Sequence, residues 1–297
     1  MGWNPFKRKS DGFTEAFVAA ARRAGLEVLG HGPDGAELRV SGEPCKVSFA
    51  NIRRRVMSAQ KAQWAPMLDD FVAAFAGSVR ANAAARASLE EVEPLLMPRV
   101  GLPFEVEVEG EAPPARELVA GLLEVHLVVD EPGTVRTVRE RDLDEWSIGF
   151  DDLYEVALAN LERTTRPDRL VPLEGQGNTL VYDSGDSYDA ARILLLPRLL
   201  DPWPREGVVV IVPSRDILLC VPLRGGEALA AMNTAFPLGH GLHEKVGYGI
   251  SDQPFWFDGE VWEHVPVAFG PAGLEIFPPD RFLRAIERLT TTRALLE

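Results

Sequence analysis

The sequence predicts an α+β fold with antiparallel sheets and helices packed on at least one face. Three observations carry this. Val208–Leu223 (VVVIVPSRDILLCVPL) sets two continuous apolar runs on either side of Pro213–Ser214–Arg215–Asp216, which reads as a central hairpin covered on both faces. Apolar residues recur at helical spacing near both ends of the chain. Short strand-like pieces punctuated by Gly, Pro, Asn and Asp fill most of the rest.

Phe13, Phe17, Val18, Ala20, Ala21 and Ala24 mark a first helix, stopped by Gly25. Strands follow at Leu26–Leu29, Ala36–Val40 and Cys45–Phe49, with Gly32–Gly35 turning between the first two. Arg53–Gln63, Pro66–Ser78 and Asn82–Glu93 read as helices. Phe104–Val108 alternates apolar and acidic residues, as a half-exposed strand does. Leu122–Val129 reads as a buried strand, Asp142–Trp146 as a helical turn and Ile148–Arg163 as a helix. Leu170–Leu173 and Thr179–Tyr182 form a hairpin, and a helix over Ser187–Leu196 is ended or kinked by Pro197. Glu227–Ala235 is helical. Phe255–Phe257 and Val261–Trp262 make a second hairpin, Leu274–Phe277 a strand and Pro279–Leu289 the closing helix. The expected organisation is two sub-domains, 1–146 and 147–297. A helix–strand–strand–helix order occurs in both, which leaves open two related α/β sandwich sub-domains without any residue-level repeat behind them.

A formal net charge of -14 disfavours a phosphate backbone as partner, so no nucleic acid is expected. Cys45 and Cys220 stand alone in apolar, strand-like contexts, which fits a reducing compartment and a cytoplasmic location. No apolar run reaches the ~18 residues that span a bilayer. Trp3, Phe6 and Lys7–Arg8–Lys9 have no apolar core behind them, so they read as a frayed basic terminus and not a secretory signal.

The segment from Trp146 resembles the YtpQ-like family of bacterial proteins of unknown function. The resemblance rests on WSIGFDDLYEVALANL (Trp146–Leu161), on LVPL with YDSGDSYDAARILLL (Leu170–Leu173, Tyr182–Leu196) and on VVVIVPSRDILL (Val208–Leu219), with VSFANI (Val47–Ile52) as a weaker echo. It implies a bacterial cytoplasmic protein and a shared fold, and transfers no catalytic residue. The layered order from Ile148 to Ala235 is also similar to bacterial secretion-chaperone domains, a likeness of fold alone.

Candidate sites each admit two readings. Ser214, Arg215 and Asp216 could present a carboxylate- or phosphate-binding arginine from a rigid turn, or could serve only as turn chemistry. Asp183 and Asp186, in DSGDS, could act with Arg215 or could cap the following helix. His240, His243 and His264 have the only metal-like spacing, weakened by Gly239 and Gly241, which argue against a helix there. Trp256 and Trp262 belong to an aromatic group, with Trp203, Phe255, Phe257 and Phe269, that is either core or a binding groove. Cys220 lies in an apolar strand and makes a poor nucleophile. No elbow around a serine and no HExxH helix is present. The expectation is therefore a non-catalytic binding or interaction protein, with another protein as partner and no cofactor. The alternative is an enzyme of unknown reaction built on Asp183–Ser187 and Arg215.

Overall fold

A computed structural model describes residues 12–32, 35–57, 59–84, 87–103, 112–131, 134–175, 177–245, 249–270 and 273–294. The basic run at Lys7–Lys9, the strand expected at Phe104–Val108 and part of the Gly32–Gly35 turn lie outside these residues. The chain divides into two compact units, Met1–Ala87 with Asp130–Arg136, and Ser88–Val129 with Thr137–Glu297.

In the first unit, α1 (Phe13–Arg23) precedes β1 (Glu27–His31), β2 (Gly35–Val40) and β3 (Glu43–Ser48), and then α2 (Ala50–Met57) and α3 (Trp64–Ala84). The strands form one antiparallel sheet in the order β1-β2-β3. Ala36, Leu38 and Val40 alternate inward from β2 with Glu37 and Arg39 turned out. Phe13 and Phe17 of α1 meet Phe49 at 5.2 and 4.7 Å between ring centroids, beside Leu68 and Val72 of α3. The two helices expected at 66–78 and 82–93 are not separate as drawn: α3 runs through Asn82 to Ala84. Ala-rich sequence continues a helix at little cost.

The chain goes on through α4 (Leu89–Val92), β4 (Leu96–Gly101), β5 (Ala115–Val119), β6 (Leu123–Glu131), β7 (Thr134–Thr137), α5 (Glu140–Trp146), α6 (Phe150–Thr164), β8 (Leu170–Pro172) and β9 (Leu180–Tyr182), with Asp130–Arg136, the end of β6 and most of β7, counted in the first unit and the rest in the second. It continues through α7 (Leu196–Leu199), β10 (Val208–Ser214), β11 (Ile217–Pro222), α8 (Glu227–Lys245), β12 (Pro254–Phe257), β13 (Trp262–His264), β14 (Val267–Gly270), β15 (Gly273–Ile276) and α9 (Asp280–Ala294). The main sheet is antiparallel, in the order β13-β12-β10-β11-β9-β8. The apolar hairpin therefore does sit at the sheet centre. Val209, Ile211, Leu219 and Val221 point to one face, where Ala231, Met232, Ala235 and Phe236 of α8 and Phe282 and Ala285 of α9 cover them. The turn Ala190–Leu195 crosses β10 and β11. With both faces covered, the alternate residues Val208, Val210, Leu218 and Cys220 are as buried as their neighbours, which is why the run reads as continuous.

The boundary expected at residue 146 is not where the units divide. α6, which follows it, packs on β4, which precedes it, and both belong to the second unit. Asn160 makes part of that attachment. From the buried side of α6 its Nδ2 donates to Glu93 O at 2.7 Å and Leu96 O at 2.9 Å. Asn160→Leu removes both of these bonds at unchanged bulk, though Glu93 O keeps the Leu96 N–H, and is expected to cost about 2 kcal/mol in urea unfolding. An unchanged midpoint would mean these bonds hold nothing together.

Three local expectations are corrected. The helix predicted over Ser187–Leu196 is a 3-10 stretch, Ala190–Leu195, followed by α7. Pro197 lies in the first turn of α7, where its missing N–H has no intrahelical acceptor to lose, so it opens that helix and does not close the earlier one. The four-residue turn at Pro213–Asp216 is a two-residue turn, because Pro213 and Ser214 complete β10. Finally, α8 does not end at Ala235 but runs through Pro237, Gly239 and Gly241 to Lys245. Gly239 permits this by closeness: a Cβ there would stand 2.7 Å from Ile211 Cγ2, so only glycine lets the helix lie on β10.

Candidate binding surfaces of the second unit

Ser214 is fully buried, and its Oγ accepts the Asp216 N–H at 3.2 Å, a turn-closing bond. Arg215 Nε lies 3.4 Å from Asp216 Oδ1, and the Arg215 carbonyl accepts the Ala190 N–H at 3.1 Å. Of the three residues expected at the tip, only Arg215 and Asp216 reach solvent.

The DSGDS loop is organised by a residue that the motif reading passed over. Arg192, buried in the turn over the sheet, donates from Nη1 to Asp189 Oδ1 at 2.9 Å and from Nη2 to Asp186 Oδ2 at 2.5 Å. Its guanidinium carbon stands 4.5 Å from the Tyr182 ring centroid. Asp189, also fully buried, further accepts from Ser184 Oγ at 2.6 Å and Ser184 N at 3.0 Å. Burial pushes the Asp189 carboxyl above its ordinary value against the downward pull of Ser184. Burial also works on Asp186, but the Arg192 hydrogen bond, the Tyr188 N–H and the Arg192 charge outweigh it and hold that carboxyl below its ordinary value. Asp186 thus serves Arg192, while Asp183 is exposed on the same loop. The sequence signal was there: an arginine inside AARILLL, with aspartates three and six residues before it, needs a partner on burial.

The histidines stand on one side of the unit without converging. His240 Nδ1 pairs with Asp252 Oδ2 at 2.9 Å and stacks on Phe269, His243 Nδ1 lies 3.0 Å from Pro213 O, and His264 Nε2 lies 3.3 Å from Gln253 Oε1. Each ring nitrogen named has its own partner, and among the described residues no group of three His, Cys, Asp or Glu side chains is placed to hold a metal. Cys220 is fully buried, and burial pushes its thiol well above its ordinary value.

The aromatic group divides by strand alternation. Trp256 faces the core against Phe282, with its Nε1 donating to Glu206 O at 2.8 Å. Phe255 is buried on the opposite face. Phe257 and Trp262 are a cross-strand pair of β12 and β13, stacked with centroids 4.5 Å apart and planes 16° apart. Trp203 meets Phe257 edge-on at 5.7 Å, and its Nε1 donates to Asp258 O. All three rings are half-buried, and Val261 beside them is exposed.

A second surface has no counterpart among the sequence expectations. Arg281, Arg284 and Arg288 form one stripe along α9, while Phe282, Ala285 and Leu289 bury the other side of that helix. The stripe and Arg205 line a cleft of about 250 Å³ floored by Glu206, Trp256 and Asp258. Arg288 Nε and Nη2 donate to Glu206 Oε2 at 2.7 and 2.6 Å. Arg281 Nη2 donates to Asp258 Oδ2, whose Oδ1 accepts the Glu260 and Val261 N–H groups. Burial would raise the Asp258 carboxyl, but those N–H groups and the Arg281 charge hold it below its ordinary value. The spacing R-x-x-R-x-x-x-R was readable in the sequence as one helix face. Its closure into a cleft with Arg205 was not.

Among the described residues no helix is long and apolar enough to cross a membrane. No family model, curated protein or solved structure matches this chain.

Proposed function

We propose that this is a non-catalytic interaction protein that recognises another protein through the aromatic surface Trp203–Phe257–Trp262. The observation that carries the reading is the stacked, half-buried pair Phe257 and Trp262 at the end of the main sheet, flanked by Trp203 and exposed Val261. Rigid aromatic rings on a strand pair provide an anchor that loses little conformational entropy on binding. The excess of acidic over basic residues supports a partner with a basic surface, drawn in by long-range attraction. The chemistry-bearing side chains of this unit also favour binding over catalysis: Arg192, Asp186 and Asp189 form a closed ion cluster, and the Cys220 thiol is sealed in the sheet. We place the protein in the bacterial cytoplasm, as the resemblance to the YtpQ-like family and the two free cysteines support.

The test is quantitative binding to a partner isolated by native purification from a host of the protein's own kind. Trp262→Ala is expected to weaken that partner by about thirtyfold or more, as removal of a central aromatic anchor does, and raised salt should weaken it further. A partner held equally by the wild type and by a Trp262→Ala variant of unchanged unfolding midpoint would remove this reading.

A further inference from the structure

We infer that the arginine cleft between α9 and the Arg205–Glu206 segment is a binding site for a small phosphate monoester or free phosphate dianion. The inference stands apart from the protein-binding surface and needs no partner protein.

The cleft carries more positive charge than the fold uses. Glu206 has only 7% of its side chain exposed and is satisfied by two hydrogen bonds from Arg288. Asp258 is satisfied by Arg281 and two backbone N–H groups. Arg281 also has Nη1 3.6 Å from Glu263 Oε1, so Arg288 and Arg281 are engaged by carboxylates, and Arg205 and Arg284 remain. Arg205 reaches Glu206 only at 3.7 Å, too long for a hydrogen bond, with 91% of its side chain exposed. Arg284 makes no hydrogen bond or ion pair with any described residue and is exposed between Arg281 and Arg288 on the same helix face. Four guanidinium groups around one concavity, against Glu206, Asp258 and Glu263, leave a local excess of one positive charge in a chain whose net charge is -14.

Like charges gathered in a concave site repel unless an anion joins them, and cleft walls strengthen their attraction for it. Phosphate matches the site in charge and shape. An anion balances that excess, and arginines one helical turn apart offer forked donors to several oxygens at once. The internal carboxylates act as positioning groups. Glu206 takes Nε and Nη2 of Arg288, and Asp258 takes Nη2 of Arg281. Nothing nucleophilic lines the cleft, so the site binds and does not cleave.

The test is calorimetric titration of the full chain at low salt with inorganic phosphate, a hexose phosphate and, as an uncharged control, the parent hexose. Both phosphates are expected to bind and the hexose not. Tighter hexose phosphate assigns an ester as the ligand, and equal affinities assign free phosphate. Because the second phosphate proton leaves near pH ~6, affinity should rise several-fold between pH 5.5 and 7.5. Arg284→Glu and Arg205→Glu, both exposed and outside the core, should each weaken binding by about tenfold or more with unchanged unfolding midpoints. Trp262→Ala should leave phosphate binding intact, which separates this site from the partner surface. No phosphate binding at millimolar concentration, or binding that survives both arginine reversals, would overturn the inference.

Discussion

Arg192→Ala is expected to destabilise the protein by about 3–5 kcal/mol, the usual cost of removing one member of a buried ion pair. The reason lies in what is left behind. Asp189 is as buried as Arg192 itself and keeps only its Ser184 and Gly185 donors once the guanidinium is gone. Asp186 sits at the rim with about a third of its side chain exposed, so it can rehydrate and adds less. The pH dependence gives the effect a signature. In the wild type, the depressed Asp186 carboxyl contributes stability above its ordinary value of 3.8, lost as pH falls through its folded value. Asp189 is raised by burial and works in the opposite sense: its contribution is favourable below 3.8 and is lost as pH rises through its folded value. Removing Arg192 takes away a downward pull on Asp189. The variant should therefore lose more stability at pH 7 than at pH 4, and Arg192→Ala with Asp189→Asn should be more stable at pH 7 than Arg192→Ala alone. Denaturant unfolding at the two pH values decides it. A loss that does not change with pH, and that the second substitution does not relieve, would mean Arg192 matters by its bulk and not by its charge.

Gly207→Ala is expected to cost about 3 kcal/mol or more, from two sources. Gly207 precedes β10 with φ +82, a conformation that side chains rarely adopt. A Cβ there would also meet Phe257 O at 2.3 Å and Asp258 Cα at 2.8 Å. Those contacts are backbone at the end of β12, so they cannot turn aside as a flexible side chain would. The substitution would push apart the strands that carry both proposed surfaces, since Glu206 and Asp258 floor the cleft and Phe257 anchors the aromatic stack. Gly175→Ala is the control: φ is +74 there, but open space surrounds the added carbon, so about 1 kcal/mol is expected. Equal midpoints for the two variants would show that the close approach at Gly207 carries no cost.

Period and punctuation carried far in this chain. The helical stripes of α1 and α9, the alternation of β2 and the doubly apolar hairpin β10–β11 were all legible, because each depends on which faces are covered and the side-chain period records that. The hairpins β8–β9 and β12–β13 were legible from their turn residues. The run of α8 beyond Pro237 was not, since glycine reads as a breaker unless the neighbour that demands it is known, and that neighbour is Ile211, on another strand. For the sites, the sequence marked side-chain chemistry but not company. His240, His243 and His264 share a spacing, yet each meets a separate partner. Asp186 was read toward Arg215, but Arg192, nearer in the chain, reaches it first. What the sequence by itself determined is the α+β class, the strongly acidic charge and the buried centre of the sheet, all local or additive properties. Only the tertiary structure decided that residues 205, 258 and 281–288 share one cleft, and that Phe257 and Trp262 face outward while Trp256 faces in. Those arrangements arise from pairings between residues far apart in sequence, about which local pattern carries no information.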